Sequence, residues 1–342
     1  MGQISNARLW IAGAALACLT ATAPAFAGVF RDDVTESDYK DLAARQFLRK
    51  SVGQVITPDG FGSGTLIGRD FILTAAHVVD TALSARFKLG NSRYKVEGIL
   101  IHPRYDGTEE FTGEDAAFDL AVLKVNRKIK KGKPVKLSRT RNPVGETAFF
   151  AGFGLGGDGA TGSVLGLDYR AGQNVIDNRE ENNRILEVDF DNPTDAADSS
   201  FGSSTPLDLE ALIAPGDSGG GLFIRNNNGF ELAGVHSYGT APIDGTIDSD
   251  YGDVSGHVNV AAHFKWIRRA MRTLEERTRK NNLDTRSFHP SVGAQPLALP
   301  LLAPRESSGL ASTALTVPEP ASATLLLASG VAAIGVRRRA HR

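Results

Sequence analysis

Short apolar runs broken by Gly, Asp, Asn and Pro set the rhythm of this chain from Ser51 onward. They fall at 55–56, 65–67, 71–73, 96–101, 120–125, 149–151, 185–190, 222–224 and 232–235. Runs of this length, roughly ten residues apart with turn residues between them, predict the strands of an all-β sandwich or barrel. Helical spacing arrives only at the end of this body. Phe264, Ile267, Met271 and Leu274 recur every three or four residues within 261–280 and predict one terminal helix laid on the body by that face. No internal repeat stands out. The segment 28–50 carries Asp32, Asp33, Glu36, Asp38 and Asp41. It either wraps the body or is a short pro-segment.

Both ends read as addresses rather than fold. Residues 1–27 have the form of a secretory signal peptide: Arg8, an apolar stretch over 9–19, and the small-residue cleavage site Ala25-Phe26-Ala27. Cleavage there starts the mature chain at Gly28 and makes signal peptidase a partner. A lipoprotein signal at Cys18 lacks the upstream aliphatic residue, and the apolar run is short for a permanent span of about 20 residues. At the other end come Val317-Pro318-Glu319-Pro320, an apolar stretch over 321–336 and Arg337-Arg338-Arg339. This arrangement resembles the PEP-CTERM sorting signal of Gram-negative bacteria. The resemblance implies an exosortase that cuts near Pro-Glu-Pro and passes the body to the cell exterior. The other reading of the tail is a lasting C-terminal transmembrane anchor. The three arginines stay on the cytoplasmic side in either case, so the body faces away from the cytoplasm. Between body and tail, 281–316 is rich in Pro, Ser, Ala and Leu and reads as a flexible linker.

Composition narrows the function classes. The 342 residues carry a net charge of −1 with 23% charged residues, and no basic stripe argues for nucleic acid. The single cysteine, Cys18, lies in the leader. The body therefore has no disulfide and no thiolate for metal binding or attack. Its stability must come from burying a core, which a body of roughly 230 residues can do.

Three positions carry chemistry. Ser218 lies in Gly216-Asp217-Ser218-Gly219-Gly220-Gly221. A serine hydroxyl needs an adjacent base and nearby N–H donors to act as a nucleophile, and flanking glycines allow the tight turn and close approach. His77 follows an apolar strand and two alanines in Leu73-Thr74-Ala75-Ala76-His77. Asp119 opens the apolar strand Leu120-Ala121-Val122-Leu123, where a carboxylate can hold an imidazole Nδ1–H. Asp115 is a nearby competitor. Each feature alone has a plain structural explanation; the order His, Asp, Ser is what joins them.

These segments resemble the trypsin/chymotrypsin superfamily of serine proteases. Gly62-Ser63-Gly64, His102-Pro103-Arg104-Tyr105, Gly152-Phe153-Gly154, Ser237-Tyr238-Gly239 and Trp266-Ile267 add to the likeness, which covers about residues 50 to 280. The resemblance implies two six-stranded antiparallel β-barrels, at about 51–140 and 141–260, plus a helix over 261–280. It implies catalytic His77, Asp119 and Ser218, and an oxyanion hole from the N–H groups of Gly216 and Ser218. It implies a polypeptide substrate, no cofactor, no metal and a monomer. Substrate-binding candidates are Leu212, Ile213, His236, Ser237, Tyr238 and Gly239.

The chain departs from the family at instructive places. Val78 stands where a cysteine usually follows the histidine. Asp217 is present for activation by a new N-terminal amine, yet no Ile-Val-Gly-Gly precedes the body. Val29-Phe30 is a candidate start, with Gly28 then needing removal. Leu212 stands where trypsin-like members carry an aspartate, so a Lys or Arg preference is unsupported. His236 falls where glutamate-specific members carry a histidine, but Ile213 replaces their hydroxyl residue. An acidic or a medium apolar side chain before the scissile bond are both open. Asp189, Asp191, Asp195 and Asp198 lack EF-hand spacing for calcium and read as part of a solvated loop over 155–210. The rival reading is an idle protease fold that only binds a partner. A Gly-Asp-Ser-Leu esterase fits poorly, because its serine comes early in the chain.

Overall fold

The computed structural model describes residues 28–107, 116–164, 169–201, 204–227 and 229–286. The leader, Asp115, most of the linker and the C-terminal signal lie outside them. Everything described belongs to one compact unit.

The chain enters on a short strand, β1 (Gly28–Phe30), followed by α1 (Glu36–Ala43) and α2 (Gln46–Ser51). Two helices here depart from the expectation of a single terminal helix. Tyr39, Leu42 and Ala43 fall on one helical face and are buried, as is Leu48. Tyr39 stacks on Phe30 with ring centroids 4.3 Å apart, and Phe47 stacks on Phe230 at 3.7 Å. Glu36 pairs with Arg170, which is 2% exposed. The segment wraps the body.

The first half is a closed barrel. Its strands are β2 (Val52–Ile56), β3 (Phe61–Leu66), β4 (Phe71–Thr74), β5 (Arg86–Leu89), β6 (Ser92–Ile101) and β7 (Ala121–Val125), in the order β2-β3-β4-β7-β6-β5. Alternate residues fill it: Val55, Leu66, Ile72, Phe87, Leu123 and Val125 share one core. Closure leaves no open sheet edge. Lys124, on the outer face of β7, is 5% exposed and reaches Asp70 at 2.8 Å and Glu275 at 3.4 Å.

The second half continues through β8 (Lys136–Leu137), β9 (Thr147–Gly152), β10 (Gly156–Asp158), β11 (Gly162–Val164), β12 (Arg170–Val175), β13 (Asn178–Glu180) and β14 (Ile185–Asp189). It ends with β15 (Ala211–Leu212), β16 (Gly221–Asn226), β17 (Gly229–Thr240) and β18 (Val254–Asn259). Six antiparallel strands run in the order β12-β9-β16-β17-β18-β14, with β13 extending one end and β8 joining β17 in parallel. The sheet is barrel-like, because β12 returns beside β14. No ladder joins these two strands. Asn174 Nδ2 spans the seam, donating to the Asp189 carbonyl at 2.6 Å and the Ala211 carbonyl at 3.2 Å, and just past β12 the Asp177 N–H donates to the Glu187 carbonyl at 2.9 Å. A small sheet, β11-β10-β1-β15, flanks it. The fold is therefore all-β with two barrels, as the chymotrypsin-like reading requires.

The expected loop over 155–210 instead carries strands β10 to β14. Asp189 and Asp191 are 2% and 5% exposed rather than solvated. The last element, α3 (Val260–Arg286), buries Ile267 and Leu274 as its spacing predicts, with Ala270 beside them, while Phe264 and Met271 of the expected face are half-buried. Among the described residues no helix is long and apolar enough to cross a membrane.

Candidate active site

The cleft chemistry begins where β4 ends. Thr74 is its last residue, Ala75 and Ala76 are fully buried, and His77 emerges with its side chain 24% exposed. Across from β4, β7 starts at Ala121, paired with Thr74. That pairing delivers Asp119, two residues before β7, to the histidine. The Asp119 carboxylate is 0% exposed and accepts from the His77 backbone N–H through Oδ1 at 2.9 Å. Its Oδ2 faces His77 Nδ1 at 2.8 Å. Burial alone would lower the His77 pKa, but the Asp119 hydrogen bond and charge outweigh it and hold the imidazole above its ordinary 6.5.

Ser218 reaches this place through its backbone. Its carbonyl accepts from Ser63 N at 2.8 Å, and the next residue, Gly219, donates to the His236 carbonyl at 2.9 Å. The turn is thus held between β3 and β17. Gly219 has φ of +83°, and a Cβ there would lie 2.1 Å from Thr74 Oγ1 and 2.9 Å from Ala75 N. A side chain at 219 would collide with the strand that leads to His77. Gly216 has φ of +98° and packs against Gly154 and the Phe61 ring. Among the described residues, the backbone N–H groups of Gly216 and Ser218 go to no carbonyl. They are available to an incoming oxygen.

Ser63 is a site residue that motif reading left without a role. Its hydroxyl donates to the Gly216 carbonyl at 3.3 Å and accepts from Phe153 N at 3.2 Å. Its own carbonyl accepts from Thr74 Oγ1 at 2.7 Å. One small side chain therefore ties the two halves together at the nucleophile turn. Val78, in place of the usual cysteine, packs where a Cβ on Gly62 would be.

Asp217 points inward. Its oxygens accept from Gly154 N at 2.8 Å and Ala214 N at 3.0 Å. Gly152 and Gly154 must be glycines, since a Cβ on either would fall within 2.7 Å of this carboxyl group. Burial raises the Asp217 pKa to about 7 against the backbone donors. β1 lies close by: Gly28 is opposite Gly156 in a parallel register and Val29 opposite Leu212 in an antiparallel one. The parallel register points the start of β1 toward Leu155 and Gly154.

The substrate-binding candidates separate into two groups. Leu212 and Ile213 are buried at 1% and 8% exposure and share a core with Val29, Phe30 and Phe150. Ser237 Oγ donates to Asp119 Oδ2 at 2.6 Å. Tyr238 lies over Gly256, and its hydroxyl meets Glu187 at 3.3 Å. Gly239 ends the segment half-buried. His236 is fully buried and pairs with a histidine that motif reading missed. Its Nδ1 lies 2.9 Å from Nδ1 of His257, directly across the β17–β18 ladder. Burial lowers both pKa values, that of His257 to about 3. Two neutral rings joined through Nδ1 need one donor and one acceptor, so one Nε2 carries a proton and the other a lone pair. Among the described residues, neither Nε2 atom has a hydrogen-bond partner, and both are buried.

The four aspartates weighed for calcium serve their own loop. Asp189 Oδ2 accepts from Ser199 Oγ, Ser200 N and Phe201 N, and Asp195 from Ala197 N. Asp198 accepts from Asn192. Asp191 lies close enough for the Asp189 charge to help raise its pKa to about 6, after burial. Elsewhere, Asp244, Asp250 and Asp253 bring oxygens within 4.8 Å of one another, and Asp253 spends Oδ2 on Ser249 N and Asp248 N.

Comparison with known proteins completes the picture. The family model described as Trypsin matches residues 49–267, and that of the PEP-CTERM protein-sorting motif matches 316–339. A chymotrypsin of Phaedon cochleariae is 30% identical over 240 residues, covering 64% of this chain and 77% of that protein. Protease Do-like 8, chloroplastic, of Arabidopsis thaliana is 29% identical over 193 residues, covering 55% of this chain and 38% of its own length. Among solved structures, neuropsin, a serine protease of mouse brain, is similar with a TM-score of 0.49 and 18% identity, over 65% of this chain and 95% of that one.

Proposed function

Since the chain belongs to the trypsin family, we propose that it is an exported serine endopeptidase with Ser218 as nucleophile, His77 as base and Asp119 orienting the base. The 2.8 Å contact between His77 Nδ1 and buried Asp119 carries this reading. With Nδ1–H committed to the carboxylate, Nε2 keeps its lone pair for the Ser218 proton. Ser218 Oγ attacks the peptide carbonyl carbon. The oxygen that gains charge is met by the free N–H groups of Gly216 and Ser218. His77 then returns the proton to the leaving amine, and water repeats the sequence on the acyl-enzyme. The upstream part of the substrate pairs with the Ser237-Tyr238-Gly239 segment. Leu212, Ile213 and Ala214 offer no carboxylate, which disfavours Lys and Arg beside the scissile bond.

The same reading assigns activation to Asp217 and the α-amine of Gly28. Signal cleavage after Ala27 creates that amine at the end of β1 that points toward Gly154, whose N–H holds Asp217. The parallel register keeps Gly28 as the first residue of β1, which supports an amine on Gly28 over one on Val29. The PEP-CTERM motif supports export and surface sorting.

A fluorophosphonate probe tests the reading. Labelling of the exported chain that disappears in Ser218→Ala supports it. A folded chain that takes no label is an idle relative.

A further inference from the structure

We propose that the outer face of the first barrel docks an acidic segment of the polypeptide substrate, downstream of the scissile bond; this rests on the protease reading above. Three adjoining grooves form the surface. One, of about 450 Å³, lies among Arg86, Arg93, Lys95 and Arg127. Tyr94 joins it to a second of about 380 Å³, beside Arg49, Lys50 and Lys131. Arg49, Gly90 and Asn91 continue into a third of about 230 Å³, which adds Lys88 and ends at Phe153. Eight cationic side chains line the set and no Asp or Glu does. Among the described residues none of the eight is ion-paired with a carboxylate.

The chain as a whole is at −1, so this face is a local excess, offset by acids elsewhere such as Asp244, Asp248, Asp250 and Asp253. Unpaired cations along a groove favour an extended anionic partner. Where the grooves lead says which kind. Phe153 donates its N–H to Ser63 Oγ, and Ser63 donates its own to the Ser218 carbonyl. The surface therefore ends at Phe153 and Tyr169, one hydrogen bond through Ser63 from the nucleophile turn, on its β3 side. The upstream substrate residues belong on the opposite, β17 side. A polymer that is not cut has no use for that ending. A substrate chain does: with its scissile bond at Ser218, its downstream residues run over the cations.

Two fluorogenic peptides with one cleavable core test this on the full chain, one with a C-terminal run of Glu and Asp, the other with Ser and Gly. The expected result is a kcat/KM about ten-fold or more higher for the acidic peptide at low salt, with the ratio falling toward one as salt screens the charges. The triple variant Arg86→Glu, Lys95→Glu, Arg127→Glu should abolish the ratio. A wild-type ratio near one at low salt overturns the proposal, as does an equal gain when the acidic run is moved upstream of the core. Binding to Ser218→Ala, read by fluorescence anisotropy, separates the two ideas. Salt-sensitive binding of the acidic peptide with no turnover by wild type keeps the surface and sinks the protease reading. Turnover without discrimination does the reverse. Binding of polygalacturonate that leaves the acidic peptide unbound also overturns the assignment.

Discussion

Ser237 and His77 share one oxygen atom: Ser237 Oγ donates to Asp119 Oδ2 at 2.6 Å, and His77 Nδ1 meets the same atom at 2.8 Å. The carboxylate is fully buried, so each donor counts. A hydrogen bond to a charged group is worth about 1.5–3 kcal/mol. Ser237→Ala is expected to lower kcat by about ten-fold or more and to lower Tm. Steady-state kinetics and thermal unfolding check this. Unchanged kcat would mean that Asp119 holds His77 without help.

The raised pKa of His77 gives activity and stability opposite slopes with pH. Catalysis needs the neutral imidazole, so kcat/KM should rise with pH through a midpoint above 6.5. The His77–Asp119 ion pair stabilises the fold fully below the unfolded value of about 6.5, and that contribution is lost as pH climbs through the folded value. Asp119→Asn should move the activity midpoint down. A pH–rate profile whose midpoint is unaffected by that substitution would assign the titration to another group.

The chain start sets a second pH dependence. In a chain extended by two residues before Gly28, Asp217 has no amine partner, and burial holds its pKa at about 7. A carboxyl raised in this way stabilises the fold at low pH and loses that contribution as pH rises through about 7. Both chains share the loss from His77, but on going from about pH 5 to about pH 8 the extended chain should lose more Tm than the chain beginning at Gly28, and it should have lower kcat/KM. Equal Tm and turnover for both would remove Gly28 from activation.

His257→Phe tests the buried histidine pair. The substitution leaves His236 Nδ1 unpaired in a fully buried site, at a cost of about 1–3 kcal/mol. A lower Tm is expected, together with a changed preference for the residue before the scissile bond in a peptide-library profile. A profile that is unaltered would confine the pair to packing.

Gly219→Ala places a Cβ 2.1 Å from Thr74 Oγ1 at a φ of +83°. The turn must shift, and with it Ser218. Loss of fluorophosphonate labelling in a chain whose circular dichroism is retained is the expected outcome.

All nine apolar runs of the sequence fall on strands, three of them (65–67, 120–125 and 185–190) reaching one residue beyond a strand end, because a barrel wall draws its burial from such runs. The short strands β10, β11 and β13 escaped notice. They are rich in Gly, Asp and Asn and draw their pairing from neighbours rather than from their own side chains. The helices α1 and α2 were hidden by the acids around Tyr39 and Leu42. At the candidate site, His77, Asp119 and Ser218 sit in local patterns that sequence displays. Ser63 and His257 do not. Ser63 acts through a hydroxyl bridge and its backbone, and any small residue reads alike there. His257 meets His236 only through the β17–β18 register, 21 residues away. The basic face was invisible for a similar reason: its cations come from α2, the β5–β6 hairpin and the segment after β7, and meet only in space.

The seam of the second barrel is a latch and not a zipper. A ladder fails one rung at a time, whereas this seam is clasped at separate points: the Asn174 amide on β14 and β15, Asp177 N–H on the Glu187 carbonyl, and Gln173 N–H on the Leu209 carbonyl. Slow deamidation of that one side chain would set an oxygen against the two carbonyls it now binds. The wall would loosen at that clasp and hang on the two backbone bonds beside it, so the seam would age from its one deamidable point outward.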